Sequence, residues 1–334
     1  MNTPFLIYVL LGLIIIKLAE GIYRLVLKLI EKKKEIKNSK VYFYKNKFYK
    51  VICVGVEIIV SIFVCLIGFL CVKNPKTVNL TYGDGENTLN IVAVSDVHYM
   101  TTGCVISLDD LVEDINELNP DVVFMLGDIV DVNVSTISYK DFASYMSEIN
   151  STYGVYLITG NHEFESNVDG NNKVDKTKVD RWFTKVENEC DTFHYLTDEE
   201  VVIGNAIRVI GRLDYLYGGS SNSRVSLETI EKGSNLTDEE KNLPLIVLDH
   251  QPQDYAQALE FGATLQLSGH THDAQLFPGN WILDILYKVK WNCIVHGNYH
   301  CDNFDLYITR GYGAWGFPMR TTGRSEILDI DFKY

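Results

Sequence analysis

LQLSGHTHDAQ, residues 265–275, runs an apolar stretch into a glycine and then sets two histidines one residue apart. The apolar part reads as a buried strand and the glycine as its end. A histidine at a strand end is usually an ordinary polar loop residue, and a lone HxH pair matches by accident often. What the pair means therefore depends on what the rest of the chain delivers to the same edge.

Working outward, LNIVAVSD (89–96), DVVFMLGD (121–128), YGVYLITG (153–160), AIRVIGR (206–212) and LPLIVLDH (243–250) have the same strand-like form, as do FDLYITRG (304–311) and EILDIDF (326–332). Between them, residues 107–119, 139–149, 179–189 and 254–261 carry helical periodicity. In the first of these, Leu108, Leu111, Val112, Ile115 and Leu118 fall on one face behind a capping Ser107. The alternation predicts an α/β domain over 89–334 with mostly buried strands. Ligands of open α/β sheets bind beyond the carboxyl ends of the strands. Five strand ends here carry polar ligand types: Asp96 and His98 in SDVHYM, Asp128 and Asp131 in GDIVD, Asn161 and His162 in GNHE, His250 in LDHQP, and His270 with His272 in GHTH. Each cluster is weak alone, but five in order, all at strand ends, are hard to reach by chance. Asp, Asn and neutral His without thiolate suit Mn, Fe or Zn. The set is too large for one four-coordinate ion. It fits two divalent ions about 3.5–4 Å apart sharing a carboxylate.

The first 73 residues are a different object. They hold twelve Lys and Arg against four acids, a balance of +8, whereas 74–334 holds eighteen against forty, or −22. Residues 51–72, VICVGVEIIVSIFVCLIGFLCV, carry a single charge and are long enough to span a bilayer as a helix. Residues 4–23 could form a first span, or lie in the interface as an amphipathic helix. The loop 31–50 between them has eight lysines and two glutamates, with Tyr42, Phe43, Tyr44, Phe48 and Tyr49 suited to headgroups. Short Lys-rich loops stay in the cytoplasm. The expectation is a transmembrane helical hairpin in a cell membrane over 1–73, a connector over 74–88, and a catalytic domain over 89–334 outside the cytoplasm. The place of the basic run between two apolar segments argues against nucleic acid as a partner. The cysteines show no metal-type spacing, and Cys293 with Cys301 is left open between a disulfide and two thiols.

Taken together, DxH, GDxxD, GNHE, a lone downstream His and GHTH resemble the calcineurin-like metallophosphoesterases, over roughly 89–332. SGHTHDAQ followed by ITRGYGAWGFPMR and SEI is similar to the membrane-anchored bacterial branch, where two glycines are usual in place of Asp273 and Ala274. The resemblance implies a four-layer αββα sandwich. It implies Asp96, His98 and His272 on one metal ion, Asn161, His250 and His270 on the other, and Asp128 bridging them. His162 would face the phosphate, with Asp131 orienting it.

On that footing the expected activity is hydrolysis of a phosphodiester, with a lipid or wall-precursor among the candidate substrates. Two cations would neutralise the ester and lower the pKa of a water. A phosphomonoesterase with the same site, and a metal-binding scaffold without catalysis, are the alternatives. Arg212, Arg310 and Arg320 are candidate phosphate contacts, against the plainer reading as ion pairs. Residues 277–297, with Trp281, Ile282, Leu283, Ile285, Leu286, Tyr287 and Trp291, read either as an apolar lip for lipid or, somewhat more plainly, as core packing.

Overall fold

The computed structural model describes residues 47–101, 106–169, 174–215 and 224–334, together with Lys17. The chain divides into two units, 1–69 and 70–334. Helix α1 (Lys47–Lys73) supplies most of the described part of the first. Its apolar side chains are largely exposed, Ile59 at 68%. The expected hairpin is not seen. Most of its first segment and of its basic loop lies outside the described residues. Among the described residues no helix is long and apolar enough to cross a membrane. The side chains of α1 are described without a break only over 58–73, a rise of about 24 Å against a hydrocarbon core of about 30 Å.

The second unit holds two six-stranded mixed sheets. The strands of the first are β1 (Lys76–Gly83), β2 (Thr88–Val94), β3 (Val122–Met125), β4 (Val155–Leu157), β5 (Phe193–Tyr195) and β12 (Glu326–Lys333), in the order β1-β12-β2-β3-β4-β5. Those of the second are β6 (Glu199–Ile203), β7 (Ile207–Gly211), β8 (Leu245–Leu248), β9 (Leu265–Ser268), β10 (Gly297–Cys301) and β11 (Phe304–Ile308), ordered β10-β11-β9-β8-β7-β6. β2 to β5 run parallel, as do β7, β8, β9 and β11. The parallel strands of each sheet therefore present their carboxyl ends along one edge.

Period-two alternation along the strands builds three buried clusters. Leu89, Ile91 and Ala93 of β2 and Phe124 of β3 meet Val209, Ile246, Leu248 and Leu267 between the sheets. Full burial of one such side chain contributes about 1.5–3 kcal/mol. Val92, Val94, Val123 and Met125 face the other way, under α2 (Leu108–Glu117), α3 (Tyr139–Ser147) and α5 (Lys176–Glu189), through Leu111, Ile115, Phe142, Trp182 and Phe183. Ile210, Val247, Leu306 and Ile308 pack beneath α6 (Leu227–Gly233), α7 (Tyr255–Phe261) and α8 (Gly279–Trp291), through Ile230, Ala258 and Tyr287. The layers are helices, sheet, sheet, helices. α2 starts where the sequence places it, with Ser107 and Asp110 closing a capping box.

Two expectations change, and one open alternative closes. Residues 76–83 are not part of a connector: β1 pairs in parallel with β12 over eight positions. Its alternation of Val78, Leu80 and Tyr82 is the signature of an edge strand with one buried face. Residues 277–297 are not chiefly core. α8 buries Tyr287 and packs Leu283 and Trp291, but exposes Trp281, Ile282, Ile285, Leu286 and Val289. Cys293 and Cys301 are free thiols.

Candidate metal centre

The turns after β2, β3, β4, β8 and β9 bring the expected residues together. Asp96, His98 and His272 form one group, His98, Asp128 and His162 a second, and Asp128, His250 and His270 a third. Within each group the possible ligand atoms lie within 4.8 Å of one another. Asp128 and His98 each belong to two groups, so the three form one continuous cluster. Asn161 opens the short helix α4 (Asn161–Glu165). Its Nδ2 donates to Glu165 Oε1 at 3.2 Å, while its Oδ1 is buried and makes no hydrogen bond.

The backbone that presents these groups is left-handed. Asp96, His98, Asp128, His270 and His272 all have φ between 50° and 71°. A left-handed non-glycine residue costs about 1–3 kcal/mol and persists where surrounding structure over-determines it. The approach of the turns is close. A Cβ at Gly160 would run into the Asp128 carboxylate, and one at Gly269 into Ser95 and Asp96. The glycines of GNHE and GHTH thus leave room for the acids on neighbouring strands.

Several of the rings are fixed from behind. His250 Nδ1 donates to the Leu126 carbonyl at 2.7 Å, which leaves Nε2 facing Asp128 Oδ2 at 3.1 Å without a well-directed hydrogen bond. Asp131 Oδ1 lies 2.9 Å from His162 Nδ1, and its Oδ2 lies 3.3 Å from His98 Nδ1. Ser166 Oγ donates to Asp131 Oδ1 at 3.1 Å. One carboxylate therefore orients both His162 and His98, where the sequence pointed only to His162. His98 Nε2 and His272 Nε2 converge to 2.9 Å. Carboxylate or carbonyl partners on the far ring nitrogen are the usual support of a metal-binding histidine.

The electrostatics call for a cation. Asp96 and Asp128 are both fully buried, and their ion-pair partners among the described residues are histidines. Burial and the neighbouring Asp128 push the Asp96 carboxyl up, despite His250 and His98. Burial also works against the Asp128 carboxylate, but His250, His98 and His162 outweigh it and hold its pKa well below the usual range. Burial drives His270 down to about 3, with His250 adding to the shift, so that its ring is neutral. Buried carboxylates whose ion-pair partners among the described residues are histidines alone, beside the neutral His270 ring and an orphaned Asn161 oxygen, form a donor set that fits divalent metal ions.

Neither Arg212 nor Arg320 is available to a substrate, which corrects both expectations. Arg212 is buried in a network with Arg224, Asp249 and Asp254, its Nη1 donating to Asp254 at 3.2 Å. Arg320 is buried against the centre itself. Its Nη1 donates to the His272 carbonyl at 3.1 Å, its Nη2 lies 3.0 Å from His272 Nδ1, and it also donates to the carbonyls of Gly313 and Arg310. Arg310 is tied to Asp273 and Glu326. Sequence reasoning missed Glu163, although GNHE contains it. Its buried carboxylate accepts from the backbone N–H of Asp128 (3.0 Å), Ile129 (2.6 Å), Val130 (2.9 Å) and Gly160 (2.8 Å). It clamps the β3 turn to the β4 turn.

The sequence profile described as calcineurin-like phosphoesterase matches residues 89–274. The chain belongs to that family. This calcineurin-like phosphoesterase is 31% identical over 259 residues to a transmembrane protein with metallophosphoesterase domain from Danio rerio, covering 74% of this chain and 54% of the relative. It is 27% identical over 245 residues to an uncharacterized metallophosphoesterase of Helicobacter pylori, covering 72% and 59%. The chain spans little more than half the length of these relatives. Among solved structures, the 5′-nucleotidase precursor from Thermus thermophilus is similar at a TM-score of 0.40 and 15% identity, covering 73% of this chain and 55% of that one. The clustered carboxylates and histidines lie within the stretch that the family profile matches.

Proposed function

We propose that this phosphoesterase is a membrane-anchored phosphodiesterase with a dinuclear metal centre. The observation that carries the reading is the pair of buried carboxylates, Asp96 and Asp128, whose ion-pair partners among the described residues are histidines. Asp96, His98 and His272 would hold one ion, Asn161, His250 and His270 the other, with Asp128 shared. The donor set of oxygen and imidazole suits Mn²⁺, with Fe or Zn as the alternatives. Bound there, the ions would supply charge neutralisation of the diester and activation of water.

The chain's own residues do the rest. Burial alone would lower the His162 pKa, but the Asp131 hydrogen bond and the Asp128 charge raise it to about 9. With Nδ1 engaged by Asp131, Nε2 is the nitrogen left to give a proton to the leaving oxygen. Such help is worth about 10²–10⁴ in rate. Glu163 holds Asp128 and Gly160 in place and touches no substrate.

Anchoring through 51–72 is part of the proposal. It is supported by the apolar run, by the exposed apolar side chains of α1, and by the name "transmembrane protein with metallophosphoesterase domain" carried by the relatives from Danio rerio and Bos taurus. The basic loop 31–50 would lie in the cytoplasm and the catalytic unit outside it.

The test uses full-length protein stripped of metal and then given Mn²⁺, with bis-p-nitrophenyl phosphate and p-nitrophenyl phosphate as substrates. The expected result is metal-restored diester hydrolysis, lost in Asp128→Asn together with bound metal and lost in His162→Ala with metal retained. Faster turnover of the monoester would assign a phosphomonoesterase. Bound metal without turnover of either ester would overturn the catalytic reading.

A further inference from the structure

Outside the metal centre, the least ordinary surface of the 70–334 unit is apolar. On α8, Trp281, Ile282, Ile285, Leu286 and Val289 are exposed, at i, i+1, i+4, i+5 and i+8, which is one face of a helix. Val289 is 81% exposed. Phe277 and Trp315, each 53% exposed, are the large apolar side chains of the adjoining loops, and the Phe277 ring stands edge-on to Trp281 at 4.8 Å. Contiguous apolar surface of this kind marks an interaction site.

Two sets of contacts say what covers it. The first joins the patch to the metal centre. Gln275 Nε2 donates to the carbonyls of Trp315 (3.2 Å) and Phe317 (2.8 Å), and its Oε1 accepts from Trp315 N at 2.9 Å. The Trp315 ring stands 5.7 Å from that of His162. The second joins the patch to the end of α1. Phe277 N donates to Thr321 Oγ1 at 2.8 Å. Three residues later Arg324 donates to the Asn74 carbonyl at 2.8 and 2.6 Å, and Ser325 N donates to the Cys71 carbonyl at 2.9 Å. The 321–325 segment thus ties Phe277 to the Cys71–Asn74 stretch of the same unit, which in sequence directly closes the apolar run 51–72. The last turn of α8 carries Lys288 and Lys290, with Lys290 Nζ 4.3 Å from the centre of the Trp291 ring. Trp and Lys at the rim of an apolar face are the composition of a membrane interface.

We propose that the exposed face of α8, with Phe277 and Trp315, seats on a lipid bilayer, so that the metal centre meets phosphoesters carried by lipids in that surface. The choice of lipid phosphoester as substrate class rests on the phosphoesterase reading; the seating of the face does not.

Full-length protein in vesicles of phosphatidylcholine and phosphatidylglycerol separates the two. Tryptophan emission is quenched with acyl chains brominated near the headgroup, in the wild type and in Trp281→Phe, a change at an exposed position. The expected result is that Trp281→Phe removes at least a third of the quenched emission. Equal quenching with and without Trp281 would overturn the seating. So would concentration-dependent cross-linking of two copies through α8 with Trp281 unquenched, which would assign the face to a second copy of the chain. For the substrate, phosphatidyl-p-nitrophenol in the vesicles is compared with soluble bis-p-nitrophenyl phosphate. Water adds to phosphorus in both and the P–O bond to p-nitrophenolate breaks. In Ile285→Asp/Val289→Asp the ratio of lipid to soluble turnover is expected to fall at least tenfold, and an unchanged ratio would overturn the substrate class. Failure of the wild type on both esters would count against the phosphoesterase reading, while the quenching would still decide the seating.

Discussion

Asp131 shows how much one side chain settles at the residue scale. Its two oxygens serve two rings, His162 and His98. In Asp131→Asn one oxygen becomes an NH₂ group that cannot accept, so one imidazole loses its partner. Loss of such support costs about 10–100-fold in metal affinity. The expected outcome is weaker Mn²⁺ binding by calorimetry together with slower turnover, whereas His162→Ala slows turnover with metal affinity intact. The ligand types were legible in the sequence because each sits in a short motif behind an apolar run. The two arginines were not. Arg212 and Arg320 look alike in a sequence, each a cation near a strand end or a loop, and what decides them is burial among partners from distant segments: Asp249 and Asp254 for one, the His272 and Gly313 carbonyls for the other. Glu163 was in view inside GNHE, but a carboxylate that accepts four backbone N–H groups from two turns becomes visible only once β3 and β4 lie side by side.

At the scale of elements, the inner strands were readable because buried strands make unbroken apolar runs. The edge strands β1, β5, β6 and β10 do not read as strands: β1, β6 and β10 are half-polar, β5 is three residues long, and β1 reads as a connector. The loop after β9 carries a departure that is legible in the residues and has a physical content. Asp273 and Ala274 stand where glycines are usual in the similar branch, and both adopt left-handed backbone, φ 49° and 52°. Asp273 has a compensating bond from Arg310 at 3.1 Å. Ala274 gains nothing comparable from its methyl group, and the left-handed conformation costs an alanine about 1–2 kcal/mol. Part of that returns as glycine's greater freedom in the unfolded chain, about 0.4–1 kcal/mol. Ala274→Gly is expected to stabilise the protein by about 0.5–1 kcal/mol, read as a higher urea midpoint with an unchanged slope. A lower midpoint would mean that the strain is absent.

For the whole molecule, charge is the dominant feature. Residues 74–334 carry −22, and a phosphodiester is an anion. The long-range field therefore opposes encounter, while the attraction sits at the buried centre. Salt screens the former more than the latter. Raising ionic strength from about 10 to 150 mM shortens the screening length from about 30 to 8 Å. The KM for a soluble diester is expected to fall over that range with kcat nearly constant, and a rising KM would place an exposed basic patch at the site entrance. Charge asymmetry between the first 73 residues and the rest was plain in the sequence. The apolar face of α8 was not, since the same residues serve equally well to fill a core.

The central claim is that the strand ends hold two metal ions sharing Asp128. The most direct measurement is anomalous diffraction from crystals of the full-length protein grown with Mn²⁺. The expected map has two peaks about 3.5–4 Å apart, one beside Asp96, His98 and His272, the other beside Asn161, His250 and His270, with the Asp128 carboxylate between them. A single peak, or two peaks away from Asp128, would contradict the account.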